Sequence, residues 1–194
     1  MKGNRFFIGT GLSIPSKNTL TLNPYLKDDN GIFPDHRHFG MSEGAYKWSG
    51  ELQFFRKLAP PIIFWGGSAT ITAPIKENEY GFLPSTYIDL SFSLLTKKIK
   101  IINASLGMYM QYKYSSPSQW NGVNSPNSKS SILVPGLGLI WTKNSMGYSL
   151  NMLFPQLLTG ELAGIESSTK QDFKSVQISL GFRTTFDYII PFLE

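Results

Sequence analysis

The chain has 194 residues, no cysteine, and 18 Lys and Arg against 13 Asp and Glu, a formal net charge of +5. That length is read as one domain, residues 1–194, and the missing thiols exclude disulfides, thiolate catalysis and thiolate-bound metal. No apolar stretch approaches the roughly 20 residues of a transmembrane helix, so if this chain spans a membrane it must do so as a closed barrel of strands.

Residues 1–5 carry Lys2 and Arg5 ahead of a short apolar run, which resembles the start of a signal peptide. Gly9, Thr10, Gly11 and Ser13 interrupt that run and no small-x-small cleavage site follows, so it is read as a first strand, with any export signal removed. Eight segments of period two then follow one another. Residues 5–14 set Phe6, Ile8, Leu12 and Ile14 against Phe7, Gly9, Gly11 and Ser13, and residues 45–55 set Tyr46, Trp48, Leu52 and Phe54 against Lys47, Ser49, Glu51 and Gln53. Residues 62–73 open with Ile62, Ile63, Phe64 and Trp65 in a row, which leaves their facing undecided. Residues 86–96 oppose Ile88, Leu90, Phe92 and Leu94 to Asp89, Ser91 and Ser93. The longest segment, 98–114, opposes Ile102, Ala104, Leu106, Met108, Met110 and Tyr112 to Asn103, Ser105, Gly107, Tyr109, Gln111 and Lys113. Residues 131–142, 146–154 and 173–186 repeat the pattern, with Leu137, Leu139 and Trp141, then Tyr148, Leu150 and Met152, then Ile178, Leu180, Phe182 and Phe186 on the apolar side.

The connections alternate in length. Residues 58–61, the Lys97/Lys98 junction and residues 143–145 are tight, whereas 15–44, 74–85, 115–130 and 155–172 are long and rich in Pro, Gly, Ser and Asn. All the long ones fall at one end. The segments are also longer than the 5 or 6 residues usual in globular strands and suit a tilted membrane crossing. The rhythm predicts an all-β fold: an up-and-down antiparallel transmembrane β-barrel of about eight strands, with both chain ends on the short-turn side. A mean hydropathy of -0.11 does not oppose this, because every second residue of such a strand faces the lumen.

Alternation alone does not say which face meets lipid, since a soluble lipocalin-like barrel has the same period. The polar face decides: it is mostly Gly, Ser, Thr, Asn and Gln, whereas a water-facing wall carries many charges. Most acids lie in the long connections. Tyr46, Trp48 and Tyr112 near the upper strand ends, and Trp141, Tyr148 and Phe186 near the lower, form two expected interfacial girdles. Arg5, Lys47, Glu51, Asp89, Lys113 and Arg183 fall on the lumen side, where isolated charges are costly unless paired. Closure brings Arg5 and Arg183 together low in the barrel, with Glu51 as their expected partner. Such a network could plug a filled barrel or line a pore.

Other chemistry is thin. Asp35, His36 and His38 could ligate a metal, but two histidines in a long loop are more often plain surface, and no metal or other cofactor is expected. A lipid-deacylating barrel needs Ser, His and acid on the wall, and both histidines lie in a loop, so the chain is not expected to be an enzyme. Gly9-Thr10-Gly11 and Gly136-Leu137-Gly138 precede no helical period and are not phosphate loops. The basic residues Arg56, Lys57, Lys97, Lys98, Lys100 and Lys143 gather at short turns rather than along one helix face, which points to a headgroup-facing rim and away from nucleic acid.

The stretch Ser131-Ile132-Leu133-Val134-Pro135-Gly136-Leu137-Gly138-Leu139-Ile140-Trp141, then Tyr148-Ser149-Leu150, Pro155, Gly160 and Ser179-Leu180-Gly181-Phe182-Arg183-Thr184-Thr185-Phe186, resembles the C-terminal strands of the outer-membrane transporters named for the meta-pathway of phenol degradation. Leu180 to Phe186 also resembles the aromatic-ended signal read by barrel-assembly machinery. That family is longer, and residues 187–194 run past the aromatic that would close the signal. The resemblance implies a narrow channel or transporter for small solutes, lodged in outer-membrane lipid. The alternative is a structural barrel that docks a protein partner through its long loops, since eight strands leave an interior just filled by side chains.

Overall fold

The computed structural model describes residues 3–15, 29–31, 43–126, 128–143, 145–160 and 175–184. Its strands are β1 (Asn4–Ser13), β2 (Lys47–Lys57), β3 (Ile62–Pro74), β4 (Phe82–Leu83), β5 (Tyr87–Thr96), β6 (Ser105–Ser115), β7 (Gln119–Trp120), β8 (Val123–Asn124), β9 (Ser130–Lys143), β10 (Met146–Leu153), β11 (Gln156–Thr159) and β12 (Gln177–Thr184). No described residue is helical.

Eight long strands form one antiparallel meander in the order β1-β2-β3-β5-β6-β9-β10-β12, each joined to the next in sequence among the long strands. Strand β11 extends the pairing of β10 along β9: Leu153 lies opposite Gly136, Phe154 donates to the Pro135 carbonyl, and Gln156 lies opposite Leu133. The interruption falls at Pro155, which has no N–H to give to a ladder. Strands β1 and β12 are the two ends of the path, and no pairing joins them among the described residues. Among the described residues the fold is therefore an eight-strand antiparallel sheet whose path begins at β1 and ends at β12.

Three boundaries differ from the sequence expectation, the simplest being Gln156–Thr159, expected within a connection and found as strand β11. Residues 98–104 are not the lower part of a strand but a turn, closed by a bridge between Ile99 and Ala104 and reversed at Asn103 with φ of 53°. An asparagine tolerates that left-handed backbone where Ile or Lys does not, so the strand pattern of 98–104 yields to the turn. The third is residues 173–186, of which the described part is a strand only over Gln177–Thr184; Phe186 lies outside the described residues.

The long connections are partly built. Strands β4, β7 and β8 make a small separate sheet from the 74–85 and 115–130 connections. The β7–β8 hairpin turns at Asn121 and Gly122, φ 49° and 78°, the paired positive angles that a two-residue turn needs to match strand twist. The Phe82 and Trp120 rings pack 4.6 Å apart, and the Asn121 N–H donates to the Gly81 carbonyl. Asn78 ties in a third connection: its side-chain oxygen accepts from the Tyr80 and Phe82 N–H groups, and its Nδ2 donates to the Glu43 carbonyl. The result is a knitted platform at the long-loop end.

Candidate functional site

The register sorts the side chains of the ribbon into two faces. One cross-strand row runs Phe6, Phe54, Gly67, Phe92, Met110, Pro135. Another runs Ile8, Leu52, Ala69, Leu90, Tyr112, Leu133. Further along, Leu106, Leu139, Leu150 and Leu180 share a row, as do Trp141, Tyr148 and Phe182. This face is apolar across all eight strands and it is bare: Leu180 is 83% exposed, Ile8 76% and Phe182 63%. Among the described residues the buried apolar side chains are few and small, Ala45, Pro84 and Ala104.

The register also resolves β3, whose facing the sequence left open. Trp65 lies opposite Leu94, so Trp65, Gly67, Ala69, Ile71 and Ala73 join the apolar face. Trp65 packs against Phe54 at 5.1 Å and Phe92 at 6.2 Å, around the hollow left by Gly67, where an added Cβ would meet the Ser91 carbonyl oxygen at 2.4 Å. Of the expected girdle, Trp48, Tyr112, Trp141 and Tyr148 lie on this face, and Tyr46 is exposed just before β2. The Trp48 ring reaches over Gly50 and donates from Nε1 to Thr10 Oγ1 at 2.9 Å. Tyr148 packs on Phe182 at 5.4 Å. Phe186 falls outside the described residues.

The opposite face holds the candidate site. Glu51, Thr70, Asp89, Lys113 and Ile132 form one row, and Gln53, Ser68, Ser91, Gln111 and Val134 the row beside it. Asp89 accepts from Gln111 Nε2 at 3.2 Å on both oxygens and pairs with Lys113 Nζ at 3.6 Å. Ser68 and Ser91 share a 2.7 Å hydrogen bond, and Gln53 Nε2 donates to Glu51. Higher up, Lys47 pairs with Glu43 and lies over the Tyr87 ring at 5.7 Å. The Asp89–Lys113 side chains remain 38% and 54% exposed, so their attraction is largely screened by water and modest in energy.

The expected grouping of Arg5, Arg183 and Glu51 takes a different form. Arg5 lies opposite Phe55 and Glu51 opposite Gly9, four residues further along β1, a displacement of about 13 Å at the usual strand rise. Arg183 lies opposite Gly147 at the far edge of the ribbon, with no pairing between β12 and β1 among the described residues. Charges alone could not reveal this, because partner choice depends on register. Asp89, not Glu51, has the lysine.

The sequence also left unremarked how much bulk this polar face carries near the short turns. Phe7, Phe55 and Phe64 form a chain, with ring centroids 6.4 and 5.6 Å apart. Glycines make room for such rings along the wall. At Gly66 a Cβ would meet the Phe55 ring at 2.3 Å, and at Gly107 it would meet the Tyr109 hydroxyl at 2.6 Å. Tyr109 also lies against Gly138. The signal was legible: Gly66, Gly107 and Gly138 fall opposite or beside aromatics once strands are aligned.

No cluster of three or more His, Asp or Glu able to hold a metal occurs among the described residues, and Asp35, His36 and His38 lie outside them. The Ser, carboxylate and amide groups of the belt hydrogen-bond to one another. Compared with models of protein families, with curated proteins and with solved structures, the chain finds no match.

Proposed function

We propose that this chain is an outer-membrane β-barrel whose eight long strands close β1 onto β12 and whose principal work is to hold the loop platform at the membrane surface. The observation that carries the reading is the bare apolar face, continuous from Phe6 to Phe182 with almost nothing apolar buried elsewhere. A contiguous apolar area of this extent far exceeds the few hundred Å² that soluble monomers leave open. Lipid is the solvent that makes it favourable, and its removal from water contributes about 25 cal/mol for each Å².

Closure has its own support. The row that leaves β1 at Asn4, its lowest residue, passes through Arg56, Trp65, Leu94, Met108, Leu137 and Met152 to reach Ile178, with the six residues 179–184 of β12 still below it. Six described residues or more at about 3.4 Å each, over seven strand spacings of about 4.8 Å, incline the row by roughly 30° or more, in keeping with the strand tilt of closed barrels. Both edge strands are long and bare on both faces, a state that sheets relieve by pairing. A total climb of about eight residues, the shear found in eight-stranded barrels, brings Leu12 opposite Ile178; a climb of about ten brings it opposite Leu180.

The Phe7, Phe55 and Phe64 chain favours an anchor over an open pore, because an apolar constriction sheds water and blocks ions. A second reading, a narrow channel for small solutes, draws on the polar belt above that constriction and on the transporter resemblance of residues 131–186. The test combines closure and conduction. With no native cysteine, Leu12→Cys paired with Ile178→Cys or with Leu180→Cys is expected to form a disulfide in protein refolded into lipid vesicles. The same vesicles fused to a planar bilayer are expected to give no unitary current. Steady single-channel steps would favour the channel, and failure of both cysteine pairs, with no heat-modifiable band on a gel, would remove the barrel.

A further inference from the structure

The charges of this chain are sorted by end. Arg56, Lys57, Lys97, Lys98, Lys100 and Lys143, all exposed, stand at the short turns or in the last strand positions leading into them. Among the described residues of that end none is acidic, while Glu43, Glu77 and Glu79 belong to the long connections. The turn at 97–104 joins charge to apolar surface. Ile101 is 95% exposed at its tip, Ile102 44% and Ile99 36%, interleaved with three lysines. The turn is held in shape: Ile99 N–H donates to the Ala104 carbonyl at 2.8 Å, Lys97 N–H to the Pro61 carbonyl of the neighbouring turn at 2.7 Å, and Leu106 N–H to Thr96 Oγ1 at 3.0 Å.

We propose that this end is an anionic-phospholipid site: the lysines of the 97–104 turn, with Arg56 and Lys57 beside them, hold the phosphates of lipids such as phosphatidylglycerol, while Ile101 and Ile102 rest among the upper acyl carbons. The proposal rests on the membrane reading and adds which lipid and which rim. The chemistry is that of an interface. A lysine stem lies along apolar surface while its ammonium reaches a headgroup, and an aliphatic tip between ammonium groups suits the boundary where phosphate gives way to hydrocarbon. A purely aqueous rim gives the isoleucines nothing to contact. Charge complementarity selects anionic over zwitterionic lipid, because only the former leaves a net negative charge to be neutralised.

The test uses tryptophan as a lipid reporter. Trp65 and Trp141 lie on the apolar face a few residues from the short turns, so lipids gathered at that end approach them. The full chain is refolded into phosphatidylcholine vesicles containing a minor fraction of brominated phosphatidylglycerol or, separately, brominated phosphatidylcholine, and quenching is compared. The expected preference for the brominated glycerol lipid is about fivefold, the value of one cation–headgroup contact. It is expected to fall to about one in high salt and in the K97S/K98S/K100S variant, and to persist in K97R/K98R/K100R, which separates charge from a folding defect. Equal quenching by the two lipids in the native chain, or a preference unchanged in the serine variant, overturns the proposal. Quenching by neither lipid overturns the membrane reading beneath it instead.

Discussion

The two faces of the ribbon have the same strands, the same register and the same backbone, yet they are specified differently. The apolar face tolerates variety within one class: Leu, Ile, Phe, Met and Trp alternate, most remain bare, and close fits are confined to aromatic rings such as Trp65 beside Gly67 and Trp48 over Gly50. On the polar face several residues depend on particular neighbours, as Tyr109 does on Gly107 and Gly138, Phe55 on Gly66, and Asp89 on Gln111 and Lys113. The difference teaches where this protein is specific. On the proposed barrel reading, a solvent of hydrocarbon asks only for hydrophobicity, whereas a narrow interior asks for volume and hydrogen bonds to match residue by residue.

The largest effect that could break this comparison comes from a charge on the apolar face. Leu52 is at the middle of β2 and 43% exposed, so Leu52→Arg is expected to cost about 2 to 4 kcal/mol of folding stability in lipid. Thr70, on the polar face, lies directly between Glu51 and Asp89 in register. Thr70→Lys is therefore expected to leave stability unchanged or slightly raised. Urea titration in vesicles of matched lipid measures both, and equal losses at the two positions would mean that the faces are not distinct solvents.

A smaller effect tests residue-by-residue matching. The three nearest atoms that a Cβ at Gly107 would meet belong to Tyr109, at 2.6, 2.9 and 3.2 Å. Gly107→Ala is expected to cost about 1 to 3 kcal/mol by overpacking, and the cost should shrink when Tyr109→Ala is added. Additive losses in that double-mutant cycle would show that the ring does not lie over the glycine. Smaller still is Asp89→Asn, which removes an ion pair already open to water and is expected to change stability by less than about 1 kcal/mol, with Lys113→Gln adding little more. A loss of several kcal/mol would instead indicate a dry interior with no water to screen the pair.

The least disruptive change carries the orientation. Gly122 occupies the tip of the β7–β8 hairpin, where an added Cβ would touch nothing within 4 Å, so an epitope inserted there is expected to cost almost no stability. Antibody should reach it on intact cells. The same epitope after Lys143, in the tight β9–β10 turn, should be reached only after the outer membrane is permeabilised. The reverse pattern would invert the assignment of the two ends.

The sequence by itself determined the number and order of the eight long strands and which face of seven of them is apolar, because a period of two is a local property that survives any arrangement of neighbours. It determined too that charge and loop length divide between two ends. Tertiary structure alone decided the facing of β3, where Ile62, Ile63, Phe64 and Trp65 give no alternation until Trp65 is laid opposite Leu94. It decided that residues 98–104 turn, since the positive φ at Asn103 and the docking of Lys97 onto Pro61 outweigh a favourable strand pattern. It also decided that Asp89 holds Lys113 while Glu51 lies four residues along β1 from the level of Arg5. Pairing between strands is set by register, and register is a relation between segments tens of residues apart that no single segment encodes.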